Sequence, residues 1–185
     1  EHLSIGVLAS AYPMADVVDA LEATDKRSDR VRDLPAEVMT YYVMAMSLLM
    51  AVSTREVLRV LLDGLRWMGG GGPRKVAGKV AISQARSRLG AEPLRHLWEA
   101  SARPMAEAST PGAFYRNHLV VALDGSTLDV QDTAANREYF GKPGSSRGEA
   151  AFPQLRLVGL SETGTHGFFA VRMGPYTQSE NSLAE

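Results

Sequence analysis

The sequence predicts an α+β protein, with an all-helical N-terminal domain followed by the first three antiparallel strands of a second domain. Three observations predict this class. Apolar residues recur at steps of three and four over much of residues 16–102, as in amphipathic helices. A small-residue segment containing proline follows at 105–112, and beyond it the pattern becomes extended, with short apolar runs between turn residues. We therefore expect a helical domain at 1–112 and a sheet-forming domain at 113–185.

The composition is that of a soluble globular protein. Apolar residues make up 45% of the 185 residues, enough for one ordinary domain or two small ones. The absence of cysteine excludes disulfides and thiolate metal sites, and it fits a cytoplasmic location. No secretory signal is visible at the N-terminus. Because the chain starts at Glu1 rather than at methionine and finishes at 179–185 like the opening of a helix, we expect an excerpt of a longer protein.

The most hydrophobic stretch, residues 36–52, follows Pro35, which suits the first turn of a helix. It is uncharged from 38 to 52, but a membrane span needs roughly 20 apolar residues, so we predict a buried central helix. Its methionines are then expected to fill the core; they are Met39, Met44, Met46 and Met50. The charged connection before it, 24–33, is predicted to be solvated, although its arginines could touch phosphate.

Two further short helices are predicted at 79–89 and 91–102, joined by a tight turn at Gly90. The first carries serine, glutamine and arginine side chains, which can bond phosphates and base edges. From Arg66 to Arg103 the chain has eight basic and two acidic residues, which suggests a polyanionic partner. Residues 74–102 thus have the composition of a helix-turn-helix-like DNA-binding segment, a pattern that ordinary helical hairpins also match.

In the second domain, five aliphatic residues at 119–123 stop at Asp124, Gly125 and Ser126. The run predicts a strand that is buried on both faces and ends at the aspartate. A carboxylate there could ligate a metal, but Asp-Gly after a strand is also a common turn signal. A long polar loop is expected at 129–148. Two more strands, 152–162 and 166–173, are predicted to form a hairpin.

Three motifs in the sequence do not fit the functions that they superficially suggest. The glycines near Gly78 and Lys79 are out of register for a phosphate-binding P-loop. Residues 144–148 match GxSxG, but no apolar strand precedes the serine, as a hydrolase elbow requires. The four histidines show none of the usual metal-binding spacings.

Several motifs together resemble the bacterial DDE transposases of the insertion sequence four family. They are ISQARSRLG at 82–90, VALDGSTLDV at 121–130, Asn136 with FGKPGS at 140–145, and GPY at 174–176. The resemblance covers nearly the whole chain. It implies that the first domain is similar to that family's helical N-terminal domain, and the second to the beginning of its RNase H-like catalytic domain.

The resemblance also implies a chemistry. DNA strand cleavage and transfer can use two metal ions roughly 4 Å apart, and magnesium or manganese prefers carboxylate ligands. The family supplies two aspartates and a glutamate; Asp124 matches the first aspartate, while Asp129 and Asp132 are second choices. Because the other two acids have no counterpart in this chain, we expect that the chain alone neither cleaves nor joins DNA.

The expected partner is double-stranded DNA at the ends of an insertion element, bound as a homodimer in the cytoplasm at the nucleoid. The residues expected to contact DNA are Lys75, Lys79, Ser83, Gln84, Arg86, Arg88, Lys142 and Arg147. The alternative is a non-catalytic DNA-binding or helical interaction module from a truncated or decayed copy. A reading frame encoding the missing aspartate and glutamate after Glu185 would decide for the enzyme.

Overall fold

The computed structural model of the protein describes residues 2–27, 30, 32–67, 76–145 and 148–185. The chain divides into two compact units, Glu1–Ser101 and Ala102–Glu185. The first is helical and the second contains antiparallel strands, which confirms the α+β class. The division precedes the boundary expected at Gly112, because the backbone N–H groups of Met105 and Ala106 donate to Glu162 within the second unit.

The helical unit is built around a central helix. Its elements are α1 (His2–Ala11), α2 (Met14–Ala23), α3 (Ala36–Leu48), α4 (Thr54–Trp67), α5 (Lys79–Leu89) and α6 (Glu92–Ser101). Helices α1, α2, α4 and α5 all pack against α3, whereas α6 packs against α2. None of the helices in the described parts of the chain has the length and apolarity needed to cross a bilayer.

Helix α3 is buried, as the sequence predicted. Tyr41 and Tyr42 lie in the core, and their hydroxyls remain satisfied because they donate to the carbonyl oxygens of Tyr12 and Thr54, at 2.5 and 3.0 Å. The helix ends at Leu48, four residues before its predicted end, since the chain must reverse before Ser53 accepts a hydrogen bond from the Glu56 N–H.

The prediction for the methionines of this stretch holds only in part. Met39 is buried, and Met44 and Met46 pack against the core. Met50 is 85% exposed, so its assignment to the core was wrong. It lies in the turn after α3, so it does not belong to the face of the helix that packs against the core.

The second unit contains one three-stranded sheet and two small hairpins. Its elements are β1 (Phe114–Tyr115), β2 (His118–Leu119), β3 (Val121–Asp129), α7 (Ala134–Phe140), β4 (Gly144–Ser145), β5 (Gly148–Glu149), β6 (Gln154–Glu162), β7 (Phe168–Pro175) and α8 (Glu180–Ala184). The larger sheet has the antiparallel order β3-β6-β7, while β1 pairs with β2 and β4 with β5. The two later strands thus confirm the predicted hairpin.

Two details of the predicted second domain were wrong. Strand β3 is not buried on both faces and does not end at Asp124: it runs on to Asp129 at the edge of the sheet, and most of its residues are exposed. The expected loop at 129–148 contains α7, whose first turn is capped by the Thr133 hydroxyl accepting from the Asn136 N–H.

Candidate nucleic-acid interface and carboxylate site

Helix α5 buries three apolar side chains and exposes its polar ones, together with Val80, which is 71% exposed. Ile82, Ala85 and Leu89 are buried against the core at helical spacing. The side chains of the other face are exposed, including those expected to contact DNA: Lys79, Ser83, Gln84, Arg86 and Arg88. Core packing therefore fixes the orientation of the helix and leaves its hydrogen-bonding groups available to a partner.

The two arginines of α5 lie in its last turn, where positive charge is favoured by the helix dipole. Within the described residues neither Arg86 nor Arg88 forms an ion pair. Arg86 is close enough to affect Tyr42: burial raises the pKa of that phenol, and the guanidinium charge offsets part of the rise. Both cations can therefore face solvent or an anionic ligand.

Helices α5 and α6 meet at Gly90, whose φ of 71° lies in the left-handed region that glycine tolerates. The two helices are held mainly by other elements, because α5 packs against α3 and α6 against α2. Assignment of a helix-turn-helix function to this hairpin stays a prediction.

The remaining residues expected to contact DNA are placed differently. Lys75 and Arg147 lie outside the described residues. The Lys142 ammonium donates to the carbonyl oxygen of Ala151 at 3.0 Å and pairs with Asp132 at 3.2 Å. A DNA phosphate would have to compete with these partners, so a DNA contact by Lys142 remains a prediction.

Asp124 lies in the middle of β3, opposite Gly159 of β6. Its side chain is exposed, and its Oδ1 accepts from the N–H of Gly125 at 2.9 Å. The ring of Phe168 occupies the space that a side chain at position 159 would need, 2.7 Å from that Cβ position. The carboxylate thus stands beside a glycine and an aromatic ring, and it is open to a cation.

The other carboxylates of this unit do not converge on Asp124. Glu180 lies over Gly125, where a Cβ would be 2.4 Å from its Cδ; because side chains alternate along a strand, it is on the opposite face from Asp124. Asp129 accepts from Gln154 at 2.8 Å. Asp132 is engaged by Arg137 and Lys142, whose hydrogen bonds lower its pKa to about 2.

The described residues thus bring no second carboxylate beside Asp124. Among the described residues no group of three or more histidines, aspartates and glutamates is arranged to hold one. Within the part of the chain that the structure describes, a magnesium ion at this site would have Asp124 and water as its ligands, whereas two ions need further carboxylates.

Sequence reasoning missed Glu162, the most buried acid among the residues that the structure describes. Its carboxylate accepts from the N–H groups of Met105 and Ala106, at 2.9 to 3.0 Å, and from the Thr165 hydroxyl at 2.6 Å. The hydroxyl bond, and then the backbone bonds, lower the pKa of Glu162. Its role is to attach 105–106 to the hairpin, and no local sequence pattern indicates that long-range contact.

Comparison with known proteins agrees with the resemblance drawn from the motifs. Residues 2–99 match the family described as Insertion element 4 transposase N-terminal. The chain is 31% identical over 156 residues, 84% of its length, to the transposase InsG for insertion sequence element IS4 of Escherichia coli K12. It is 27% identical over 182 residues, 98% of its length, to the putative transposase InsZ of the same organism.

The matched regions are partial for both relatives, since they span 34% of InsG and 58% of InsZ. No solved structure matches the chain. The family match covers the whole of the helical unit apart from its ends, and both relatives are matched well beyond it. The chain therefore belongs to the insertion element 4 transposase family.

Proposed function

We propose that the chain provides the DNA-recognition part of a transposase, with the helical unit binding the ends of the insertion element through α5. The observation that carries the proposal is the division of α5 into a buried apolar face and an exposed face bearing Ser83, Gln84, Arg86 and Arg88. Hydroxyl, amide and guanidinium groups are those that contact phosphates and read base edges.

The experiment is a salt titration of duplex binding with Arg86→Ala and Arg88→Ala. Each variant is expected to bind less tightly and to reduce the dependence of log K on log salt by about one unit per lost phosphate contact. Arg95→Ala is the matched control, because Arg95 is an exposed arginine of the neighbouring helix α6 that pairs with Glu92. Binding and salt slope unchanged in both α5 variants would remove this helix from recognition.

We further propose that the second unit begins an RNase H-like catalytic domain in which Asp124 is the first metal carboxylate. The support is the antiparallel order β3-β6-β7 and the exposure of Asp124 in the first of these strands. When bound, Mg²⁺ or Mn²⁺ would stabilise charge on the oxygens exchanged during strand cleavage. The described residues supply one of the carboxylates that this would need, so we assign no catalytic step to them.

The chain alone is therefore expected neither to nick nor to join DNA. The measurement is conversion of supercoiled plasmid by the purified chain with Mg²⁺ or Mn²⁺, compared with Asp124→Asn. Metal-dependent turnover that the Asn variant abolishes would contradict this expectation and show that one chain, or a homodimer of it, completes the site.

A second candidate is a non-catalytic DNA-binding module from a truncated or decayed transposase copy. The absence of a converging acid group among the described residues favours it. In that case the duplex affinity of Asp124→Asn should equal that of the parent chain at every Mg²⁺ concentration, whereas a metal-dependent difference between them would favour the catalytic proposal.

A further inference from the structure

A basic cleft of about 350 Å³ lies in the helical unit, between the connection that follows α2 and the end of α5. Its described lining has one carboxylate, Asp25, and several cations. The cations are Lys26, Arg27, Arg30, Arg32 and Arg88. The connection that the sequence predicts to be solvated, with arginines that could touch phosphate, thus lies beside the helix expected to bind DNA.

The cations of the cleft differ in how far they are already neutralised. Arg27 pairs with Glu22. Lys26 and Arg88, by contrast, have no ion pair within the part of the chain that the structure describes. The Lys26 stem also passes over the turn between α5 and α6, with Cε 3.9 Å from the position that a Cβ on Gly90 would take.

The start of α3 also borders the cleft, and its first turn carries the acidic residue Glu37. Leu34 and Ala36 line the cleft, and Pro35, the residue at the cap, offers no side-chain acceptor to the N–H groups of the first turn. Unsatisfied N–H groups at the start of a helix favour an anion. The lining thus brings the start of α3 together with residues that carry ammonium and guanidinium groups.

We propose that this cleft binds a phosphodiester of the DNA backbone, with Lys26 and Arg88 as its principal cations. The inference rests on the proposed function of the helical unit and extends it. DNA contact then includes the connection after α2, which anchors the duplex backbone beside the base-reading face of α5. Anchoring of this kind adds affinity without sequence preference.

The test is a salt titration of binding to a 20-base-pair duplex by the full chain carrying Lys26→Met, which keeps most of the stem and removes the charge. The slope of log K against log salt should become less steep by about 0.9, the value for one lost phosphate contact. Lys26→Arg should restore the slope. Arg27→Met is the matched control in the same cleft and should change the slope less, because that charge is already paired.

Three results would overturn the inference in distinguishable ways. An unchanged slope for Lys26→Met, with weakened binding by Arg86→Ala, would remove the cleft and leave the proposed function intact. A parent chain that does not bind duplex would remove both. Calorimetric titration with inorganic phosphate is a separate arm: saturable binding of free phosphate, with duplex binding unchanged in Lys26→Met, would assign the cleft to a small phosphate and overturn the DNA contact.

Discussion

Among the described residues, 20 buried hydrophobic residues lie in the helical unit and three in the sheet unit, although the units are of similar length. The 20 form one core cluster. In the sheet unit Val158 and Leu183 are buried where α8 covers one face of the sheet. The helical unit therefore has a core enclosed between its helices, whereas the sheet unit buries apolar side chains mainly on the face of the sheet that α8 covers.

The other side of the three-stranded sheet carries several exposed apolar side chains in the described structure. We call it the open face; it carries Asp124, Leu128, Leu157, Phe168 and Met173. Leu128, Phe168 and Met173 are 51%, 55% and 63% exposed. Apolar residues left in water contribute little to folding. We therefore expect the sheet unit to be less stable than the helical unit. The candidate metal carboxylate, Asp124, lies in the sheet unit.

The largest expected effect is that of Leu61→Ala, which removes a fully buried side chain from the helical core. The free energy of unfolding of this unit should fall by about 2–5 kcal/mol. Both tryptophans, Trp67 and Trp98, lie in this unit, so their fluorescence during urea denaturation reports on it alone. Leu48→Ala is the control, since Leu48 is 53% exposed; an equal loss in both variants would contradict a closed core.

In the sheet unit the next largest effect is expected from Glu162→Gln, which breaks the attachment of 105–106. Because the folded-state pKa of Glu162 is below its ordinary value of 4.5, its ionised form stabilises the fold above that pH. The contribution is lost as the pH falls through the lowered pKa. Amide hydrogen exchange of Met105 and Ala106 should be faster in the variant at pH 7.

That difference in hydrogen exchange between the variant and the parent chain should shrink as the pH falls below 4.5 and through the lowered pKa of Glu162. Thr165→Ala should show a weaker version of the same behaviour, because it removes one of the hydrogen bonds to the carboxylate. A difference that persists unchanged in acid would show that the Glu162 charge has no part in the attachment.

A smaller effect is expected from Leu128→Ala on the open face. About half of this side chain is already in water, so the free energy of unfolding of the sheet unit should fall by no more than about 1 kcal/mol. Hydrogen exchange of the β6 amides is the measurement, and Val158→Ala on the covered face is the matched control. A loss for Leu128→Ala as large as for the control would mean that the open face is covered in solution.

The same contrast explains how much of the fold could be predicted from the sequence. Helix α5 was predicted at its observed bounds, because Ile82, Ala85 and Leu89 repeat at helical spacing and Gly90 ends the helix. The hairpin of β6 and β7 was also predicted from local alternation and a glycine turn. Such features depend on neighbours in sequence, which a pattern records directly.

Several features that the sequence did not predict depend on long-range structure. An aliphatic run such as 119–123 indicates a strand, but it does not show whether another element covers that strand, and β3 proved to be an edge. The Glu162 attachment joins residues more than 50 positions apart. The basic cleft likewise requires the connection after α2 to fold against α5, so charge counting along the chain could not find it.

The smallest effect is expected from removing the charge of Asp132, which forms a surface ion pair, unlike the buried carboxylate of Glu162. Arg137 and Lys142 lower the pKa of Asp132 to about 2 from the ordinary 3.8, so its charge stabilises the fold above pH 3.8. Asp132→Asn should slightly lower the melting temperature of the sheet unit at pH 7, and the deficit should disappear between about pH 4 and pH 2. Salt should also diminish it, since exposed pairs are screened.

Asp129→Asn is the matched control at pH 7, because Asp129 accepts from the neutral amide of Gln154 rather than from a cation. Its variant should lower the melting temperature at pH 7 less than Asp132→Asn does, and added salt should have less influence on that loss. If Asp132→Asn instead stabilised the unit at pH 7, the desolvation penalty of the ion pair would exceed its electrostatic attraction. Lys142 would then be free to exchange Asp132 for a DNA phosphate at little cost, which would strengthen its assignment as a DNA contact.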